Sequence, residues 1–193
     1  MNITPSLQQR LLKDARASIQ YGFESGRALS IELVGLDEEI TTPGAAFVTL
    51  EVNSSLHGCI GSVEAYRPLI VDVAENAWSA AFEDPRFSPL TPQAMVDLNI
   101  QISVLTPAED MAVVSEADLL EQLVPSRDGL ILIDGYHRGL FLPSVWEKLP
   151  DPASFVNQLK LKAGLSESYW SDQITCRRFT TISFDEQDHT TGL

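Results

Sequence analysis

The chain has 193 residues, of which 44% are hydrophobic and 21% are charged, so its composition predicts a packed globular protein rather than a disordered one. Its 27 acidic and 13 basic side chains give a formal net charge of −14, which disfavours nucleic acid and anionic membrane surfaces as partners. Two cysteines, no apolar run of membrane-spanning length and no signal-peptide core predict a reducing, cytoplasmic setting.

Helices and strands alternate through the first half of the chain. Pro5 is typical of a first helical position, and apolar residues spaced four apart after it predict one buried helix face. Short β-rich runs on either side of Asn53 and Ser54 predict a hairpin. In chain order we predict a helix from Thr4 that ends at Gly22 and Gly26, an acidic loop over 34–44, strands over 45–52 and 56–63, a helix from Pro68, a loop over 83–89, a short helix from Thr91 and a strand over 99–105.

The second half carries similar signals. Ser115 with Asp118, and Asp151 before Pro152, are typical of helix N-termini, while Gly164 is typical of a helix end. We predict a short helix over 115–123, a hairpin with strands over 129–134 and 138–142, a helical turn over 143–148, a helix over 152–163 and a last strand over 174–184. Helices interleaved with hairpin-linked strands favour an α+β fold with a largely antiparallel sheet.

The most informative segment covers residues 56–61 and has the sequence Leu-His-Gly-Cys-Ile-Gly. Glycine weakens a strand, so Gly58 and Gly61 around Cys59 call for a reason. One reason is a bulge or tight packing against another backbone, and the other is close approach of a ligand beside a thiol. Cysteine is a nucleophile as the thiolate, which a nearby cation would favour. The alternative is a buried cysteine that packs as a small hydrophobic residue.

His57 lies two residues before Cys59, and in an extended strand both side chains would point to the same face. This spacing makes a Cys–His pair geometrically feasible, with a surface histidine as the alternative. The sequence has no CxxC, no HExxH and no glycine-rich nucleotide-binding motif. We therefore expect neither a metal nor a cofactor.

Charged residues are distributed unevenly. Sixteen acidic and only two basic side chains, Arg67 and Arg86, lie between residues 28 and 126. The two arginines either form ordinary ion pairs or bind a specific anionic ligand or partner. Asp72 and Glu75 are three residues apart and share a helix face. Paired carboxylates can perform acid–base chemistry or bind a metal, but a solvated helix face is the simpler interpretation.

Nine sequence blocks, in order, carry a resemblance to a known family. They are FVTL at 47–50, LHGCIGS at 56–62, RPL at 67–69, DVAENA at 72–77, AAFEDPRFSPLT at 80–91, ISVLTP at 102–107, RDGLIL at 127–132, RGLFLPSVWE at 138–147 and LKLKAGL at 159–165. Over about residues 5–186 the sequence resembles the AMMECR family, also known as AmmeMemoRadiSam system protein A. The family signature is Leu-Arg-Gly-Cys-Ile-Gly, and here His57 replaces its arginine.

The resemblance implies an α+β fold with two unequal, closely packed lobes around a largely antiparallel, barrel-like sheet with flanking helices. It implies one domain over residues 1–186 with two interleaved lobes, followed by a polar tail over 187–193. It also implies a Memo-like protein and a radical SAM protein as partners. The chain lacks the cysteine triplet of a radical SAM cluster, so it is not itself that component.

Two functional hypotheses follow. The first is an enzyme or enzyme-like component that binds a small anionic molecule in a cleft between the lobes, with Cys59 as nucleophile or acid–base thiol and His57 as a base. In this hypothesis the ligand-binding residues are Gly58, Gly61, Arg67 and Arg86. The second is a non-catalytic binding or adaptor module in which residues 56–61 serve packing.

Overall fold

The computed structural model describes residues 2–187, so the tail predicted over 187–193 lies outside it except for Gln187. The helices are α1 (Pro5–Ser25), α2 (Glu38–Thr41), α3 (Leu69–Phe82), α4 (Glu116–Gln122) and α5 (Pro152–Lys162), with 3₁₀ turns at Pro92–Asp97 and Pro143–Glu147. The strands are β1 (Pro43–Gly44), β2 (Ala46–Val52), β3 (Ser55–Gly61), β4 (Arg67–Pro68), β5 (Leu98–Leu105), β6 (Glu109–Met111), β7 (Gly129–Asp134), β8 (His137–Phe141), β9 (Thr175–Phe179) and β10 (Thr181–Asp185). Every helix in this range falls short of the length or the apolar character that a membrane span requires.

The chain divides into two compact units. The first contains the chain up to Val104 together with the segment from Ile182 onward, and the second is Leu105–Thr181. Each unit has its own apolar core and its own four-stranded sheet. The fold is α+β with antiparallel strand pairing, as predicted, but the strand orders of the described residues give open sheets rather than a closed barrel.

In the first unit, the sheet has the strand order β10-β5-β2-β3, so β3 lies at an edge. β2 pairs antiparallel with β3 and β5, and its alternate residues Ala46, Val48 and Leu50 are buried. α3 packs on β2 and β3, and α1 packs on α3. The apolar stripe predicted for α1 lies in this core. Burial of that stripe against α3 attaches α1 to the unit, although its other face carries charged residues.

The β2–β3 hairpin has two local irregularities that decide where its side chains point. Asn53 and Ser54 have φ angles of 51° and 60°, as a type I′ turn requires. Leu50 pairs with Gly58 whereas Glu51 pairs with Leu56, so a β-bulge leaves the residue between them, His57, without a partner on β2.

In the second unit, the sheet has the strand order β6-β9-β7-β8, and α5 packs on β8. Trp146 stacks on Phe155 of α5 with ring centroids 3.8 Å apart. Asp151 caps α5 by accepting a hydrogen bond from the Ser154 N–H over 2.8 Å. Gly164, with a φ of 81°, follows the helix end as predicted.

The last strand predicted over 174–184 is in fact two strands in different units, β9 and β10. Cys176 on β9 lies in the second core and Phe184 on β10 lies in the first. Between the strands, Thr180 exchanges hydrogen bonds of 2.9 Å with Thr106. Apolar residues keep the same two-residue spacing on both sides of Thr180, which is why the pattern predicts a single strand.

Smaller differences concern helix ends. The predicted acidic loop over 34–44 contains the short helix α2. Gly22 lies inside α1, where it packs against Trp78, and Gly26 in the left-handed conformation ends the helix. Pro68 is the N-cap of α3 rather than its first residue.

Candidate functional site

Gly58 and Gly61 allow the edge strand β3 to pack closely on its neighbours. A Cβ atom at Gly58 would overlap the main-chain carbonyl oxygen of Ala80 on α3. A Cβ atom at Gly61 would overlap the ring and main chain of Phe47 on β2. Tight packing, one of the two reasons offered by the sequence, therefore accounts for both glycines.

Cys59 points away from the sheet face on which Gly58 packs against α3. Side chains alternate along a strand, so Gly58 faces α3 and Cys59 faces the other side of the sheet. The Cys59 Sγ atom accepts a hydrogen bond from Thr49 Oγ1, which lies opposite it on β2, over 3.2 Å. Cys59 is only half-buried and therefore is not a core residue.

The same sheet face carries further polar groups beside Cys59. Thr49 pairs with Cys59 on one side and with Gln101 of β5 on the other, which places the three side chains in one row. Gln101 is exposed. The row therefore presents a thiol, a hydroxyl and an amide to a molecule that would lie on this face.

Asp84 and Arg86 hold the main chain of β3 at Cys59. The Cys59 N–H donates to Asp84 Oδ2 over 2.9 Å, and Arg86 Nη2 donates to the Cys59 carbonyl oxygen over 3.1 Å. These are the groups that an edge strand would otherwise leave unpaired. The loop after α3 thus fixes the position of Cys59 by bonding its peptide groups directly.

Asp84 and Arg86 also form a close ion pair. Arg86 Nε donates to Asp84 Oδ1 over 2.9 Å, and Arg86 Nη2 donates to Oδ2 over 2.6 Å. The hydrogen bond from Arg86 is the main reason that the pKa of the Asp84 carboxyl lies well below its usual range. Because this pKa is lowered on folding, the pair's contribution to stability is present above about pH 3.9 and decreases as the pH falls below that value.

Arg86 retains capacity to bind a further group. Its side chain is 55% exposed, whereas that of Asp84 is buried. The guanidinium uses Nε and Nη2 in the contacts above and lies over the Phe87 ring at 5.4 Å, while its Nη1 donates to no carboxylate or main-chain oxygen of residues 2–187. The Asp84 carboxylate is the main cause of a raised pKa for Arg86, and the Cys59 side chain contributes in the same direction. An oriented cation therefore lies beside the thiol.

His57 is not brought together with the Cys59 thiol. The bulge breaks the strand alternation at His57, and its imidazole stacks on Phe87 with ring centroids 6.1 Å apart. Its Nε2 atom is buried and makes no hydrogen bond with the described part of the chain. The role of His57 as a base therefore stays a prediction, without a contact to Cys59 that would support it.

Arg67 belongs to a different cluster, built around Asp72. The Asp72 carboxylate is fully buried and accepts hydrogen bonds from Arg67 Nε at 2.9 Å, Ser62 Oγ at 2.5 Å, Ala46 N at 2.9 Å and Asn76 Nδ2 at 3.0 Å. These donors come from the beginning of β2, the residue after β3, the strand β4 and the helix α3. The cluster fastens these segments together, and Asp72 does not lie on the solvated helix face that the sequence favoured.

Glu75 remains exposed, with its Oε2 atom 3.7 Å from Arg67 Nη1. Asp72 and Glu75 thus both approach Arg67, but the buried Asp72 is occupied by the donors above. Among residues 2–187, no group of three or more histidine, cysteine and acidic side chains is arranged to hold a metal ion.

Cys176, the second cysteine, is enclosed in an apolar core, whereas Cys59 is half-exposed. It is buried in the core of the second unit, where burial raises the pKa of its thiol to about 11. Both cysteines are free thiols. Cys176 therefore provides an internal reference for an inert cysteine in the same chain.

Sequence reasoning missed Asp84 and Thr49 as neighbours of Cys59. Asp84 precedes a proline in a loop, and nothing local indicates that its carboxylate reaches the Cys59 peptide 25 residues away. Thr49 was predictable in principle, because a hairpin turning at Asn53 and Ser54 sets which β2 residue faces Cys59.

The chain is similar to several known proteins. The AMMECR1 family model matches residues 12–184. Protein SSO0193 of Saccharolobus solfataricus is 39% identical over 184 residues, which cover 91% of this chain and 80% of that protein. A protein of Methanothermobacter thermautotrophicus is 36% identical over 178 residues, covering 91% of this chain and 92% of that protein. The crystal structure of the uncharacterized protein PH0010 from Pyrococcus horikoshii matches with a TM-score of 0.84 at 29% identity, covering 96% of this chain and 94% of that one.

Proposed function

We propose that this chain, which belongs to the AMMECR1 family, is an enzyme or enzyme-like component that binds a small anionic molecule beside the Cys59 thiol. One observation carries the proposal. The Cys59 side chain is half-exposed on the sheet face opposite α3 and Gly58, next to a guanidinium that Asp84 orients. A buried structural cysteine would need neither the exposure nor the neighbouring cation.

Each predicted residue takes a separate role in this proposal. Arg86 binds the anionic group of the ligand through Nη1 of its guanidinium. Cys59 contacts the ligand through its thiol. Gly58 and Gly61 act indirectly, because they set the position of β3 against α3 and β2. Arg67 supports the end of the strand through Asp72.

The arrangement suits recognition of a small molecule that carries both an anionic group and hydrogen-bonding groups. Thr49 and Gln101 lie in the same row as Cys59 and offer a hydroxyl and an amide. The proposed contact between Cys59 and the ligand needs a reduced thiol, which agrees with the cytoplasmic setting expected from the cysteine usage.

The proposal is tested by the charge selectivity of Cys59 alkylation. Iodoacetate is an anion and iodoacetamide is its neutral analogue, and both report on the same sulfur atom. If Arg86 attracts anions, Arg86→Gln will lower the ratio of the iodoacetate rate to the iodoacetamide rate about fivefold, the equivalent of about 1 kcal/mol for a partly exposed charge. Arg86→Lys, which keeps the charge, will retain most of the ratio.

The wild-type chain supplies a control that needs no substitution. Inorganic phosphate should slow the reaction of Cys59 with neutral iodoacetamide in a saturable manner, because it occupies the Arg86 site next to the sulfur. A ratio that is unchanged in folded Arg86→Gln, together with no protection by phosphate, would contradict an anion site at Cys59.

The second candidate function is a non-catalytic binding or adaptor module. Its support is the glycine packing, which gives residues 56–61 a structural purpose without any ligand. Cys59→Ala discriminates the two functions, because it removes the thiol and leaves both glycines in place. An adaptor would keep every ligand and partner interaction in this variant, whereas the enzyme-like component would lose its ligand-dependent activity.

We further propose a Memo-like protein and a radical SAM protein as partners, on the strength of the family resemblance alone. Co-purification of the three chains after co-expression would test this association, with each pair expressed separately as the control.

A further inference from the structure

We propose that a cavity in the first unit, distinct from the Cys59 site, binds a small zwitterion of the amino-acid class with an apolar side chain. The cavity has a volume of about 330 Å³. One wall is the segment 27–31, which follows α1, and the other is formed by Val71, Glu75 and Trp78 of α3. Its volume lies at the lower end of the range for small-molecule sites.

The wall formed by residues 27–31 is held in position rather than loosely attached. The buried hydroxyl of Ser18 on α1 donates to the Ala74 carbonyl oxygen of α3 over 2.7 Å and accepts from the Leu29 N–H over 3.0 Å. One side chain thus ties α1, α3 and the segment together. The cavity between them is therefore built into the unit.

Arg27 brings a positive charge to this wall. Its Nη2 atom donates to the Tyr21 hydroxyl over 3.1 Å, and its guanidinium lies over the Tyr21 ring at 5.8 Å. Both contacts orient the guanidinium without neutralising it, and Arg27 has no carboxylate partner in the described chain. An oriented, unpaired guanidinium is suited to a carboxylate.

Glu75 brings a negative charge to the opposite wall. Its nearest cation, Arg67 Nη1, is 3.7 Å away, which is beyond hydrogen-bond distance. Arg67 is engaged instead by the buried Asp72. The Glu75 carboxylate therefore keeps acceptor capacity for an ammonium group.

The remaining lining residues suit the apolar side chain of an amino acid. Leu29 and Ile31 face Val71 and Trp78 across the cavity and offer apolar surface. The main-chain N–H groups of the segment, apart from those of Arg27 and Leu29, have no hydrogen-bond partner within residues 2–187. Arg27 and Glu75 are both exposed, so a ligand with one charge would leave the other side chain solvated and would lose one ion pair; the two opposite charges therefore favour a zwitterion.

The test is an NMR titration of the folded full-length chain with L-leucine, N-acetyl-leucine and leucine amide. L-leucine is expected to shift the signals of residues 27–31 and the Trp78 indole in a saturable manner. Each blocked analogue lacks one charge and should bind roughly fivefold more weakly. Arg27→Gln should weaken L-leucine binding by a similar factor and abolish the difference between leucine and leucine amide.

Lys13→Gln is the matched control, because it removes an exposed charge from α1 outside the cavity and should leave leucine binding unchanged. Cys59→Ala should also leave it unchanged, which separates this cavity from the proposed thiol site. Absence of saturable shifts with L-leucine, or equal binding of all three compounds, would overturn the proposal. Equal leucine binding by the wild type and Arg27→Gln would overturn it as well.

Discussion

Asp72→Ala is expected to destabilise the protein by about 3–5 kcal/mol, the cost of breaking a buried ion pair by removing one partner. The Asp72 carboxylate is fully buried and accepts four hydrogen bonds. Its removal leaves the Ala46 N–H and the Ser62 hydroxyl short of an acceptor and leaves Arg67 without its main counterion. Denaturant unfolding, followed by circular dichroism, gives the free energy of unfolding for comparison.

Two control variants separate the contributions to this loss. Asp72→Asn keeps the shape and one carbonyl acceptor but removes the charge, so its loss should be smaller than that of Asp72→Ala. Glu75→Gln changes an exposed carboxylate 3.7 Å from the same arginine and should alter stability by less than about 0.5 kcal/mol. Equal losses in Asp72→Ala and Glu75→Gln would contradict the assignment of Asp72 as the residue that fastens the segments.

Gly58→Ala is expected to cost at least about 3 kcal/mol, at the upper end of the range for overpacking. The added Cβ would overlap the carbonyl oxygen of Ala80, which is a main-chain atom inside α3. A flexible side chain could move aside, but here β3 and α3 must separate. For the same reason Ala80→Gly should not rescue the variant.

Gly135→Ala is the comparison for this substitution. Gly135 has a positive φ of 57°, and nothing lies within 4 Å of the position its Cβ would take. Its cost should therefore come from backbone strain alone, about 1–2 kcal/mol. A Gly58→Ala protein as stable as the wild type would show that close packing is not the reason for this glycine.

The elements of the chain were largely predictable because local signals agreed with the fold. Pro5 before an apolar stripe, Asn53 and Ser54 at the hairpin turn, and Gly164 after α5 each have the predicted role. The open sheets and the break at Thr180 were not predictable in this way. They depend on which strands pair over long sequence distances, and periodicity carries no information on pairing.

The candidate site was predictable in its centre but not in its surroundings. Glycines around Cys59 indicated a special strand, and their packing on Ala80 and Phe47 provides the physical reason. The expected alignment of His57 with Cys59 depended on regular alternation, which the bulge removes. Asp84 reaches the Cys59 peptide only because the loop after α3 returns to the edge of β3, a tertiary contact.

The central claim is that Cys59 presents its thiol next to Arg86 while Cys176 is enclosed in a core. Its most direct test is the rate of alkylation by iodoacetamide at each cysteine as a function of pH, measured by mass spectrometry of the native protein. We expect Cys59 to react in the folded protein and Cys176, buried and with a thiol pKa raised to about 11, to react only after unfolding. If Cys59 also stays unlabelled until the protein unfolds, the cysteine serves packing, and the proposed ligand site at Cys59 is contradicted.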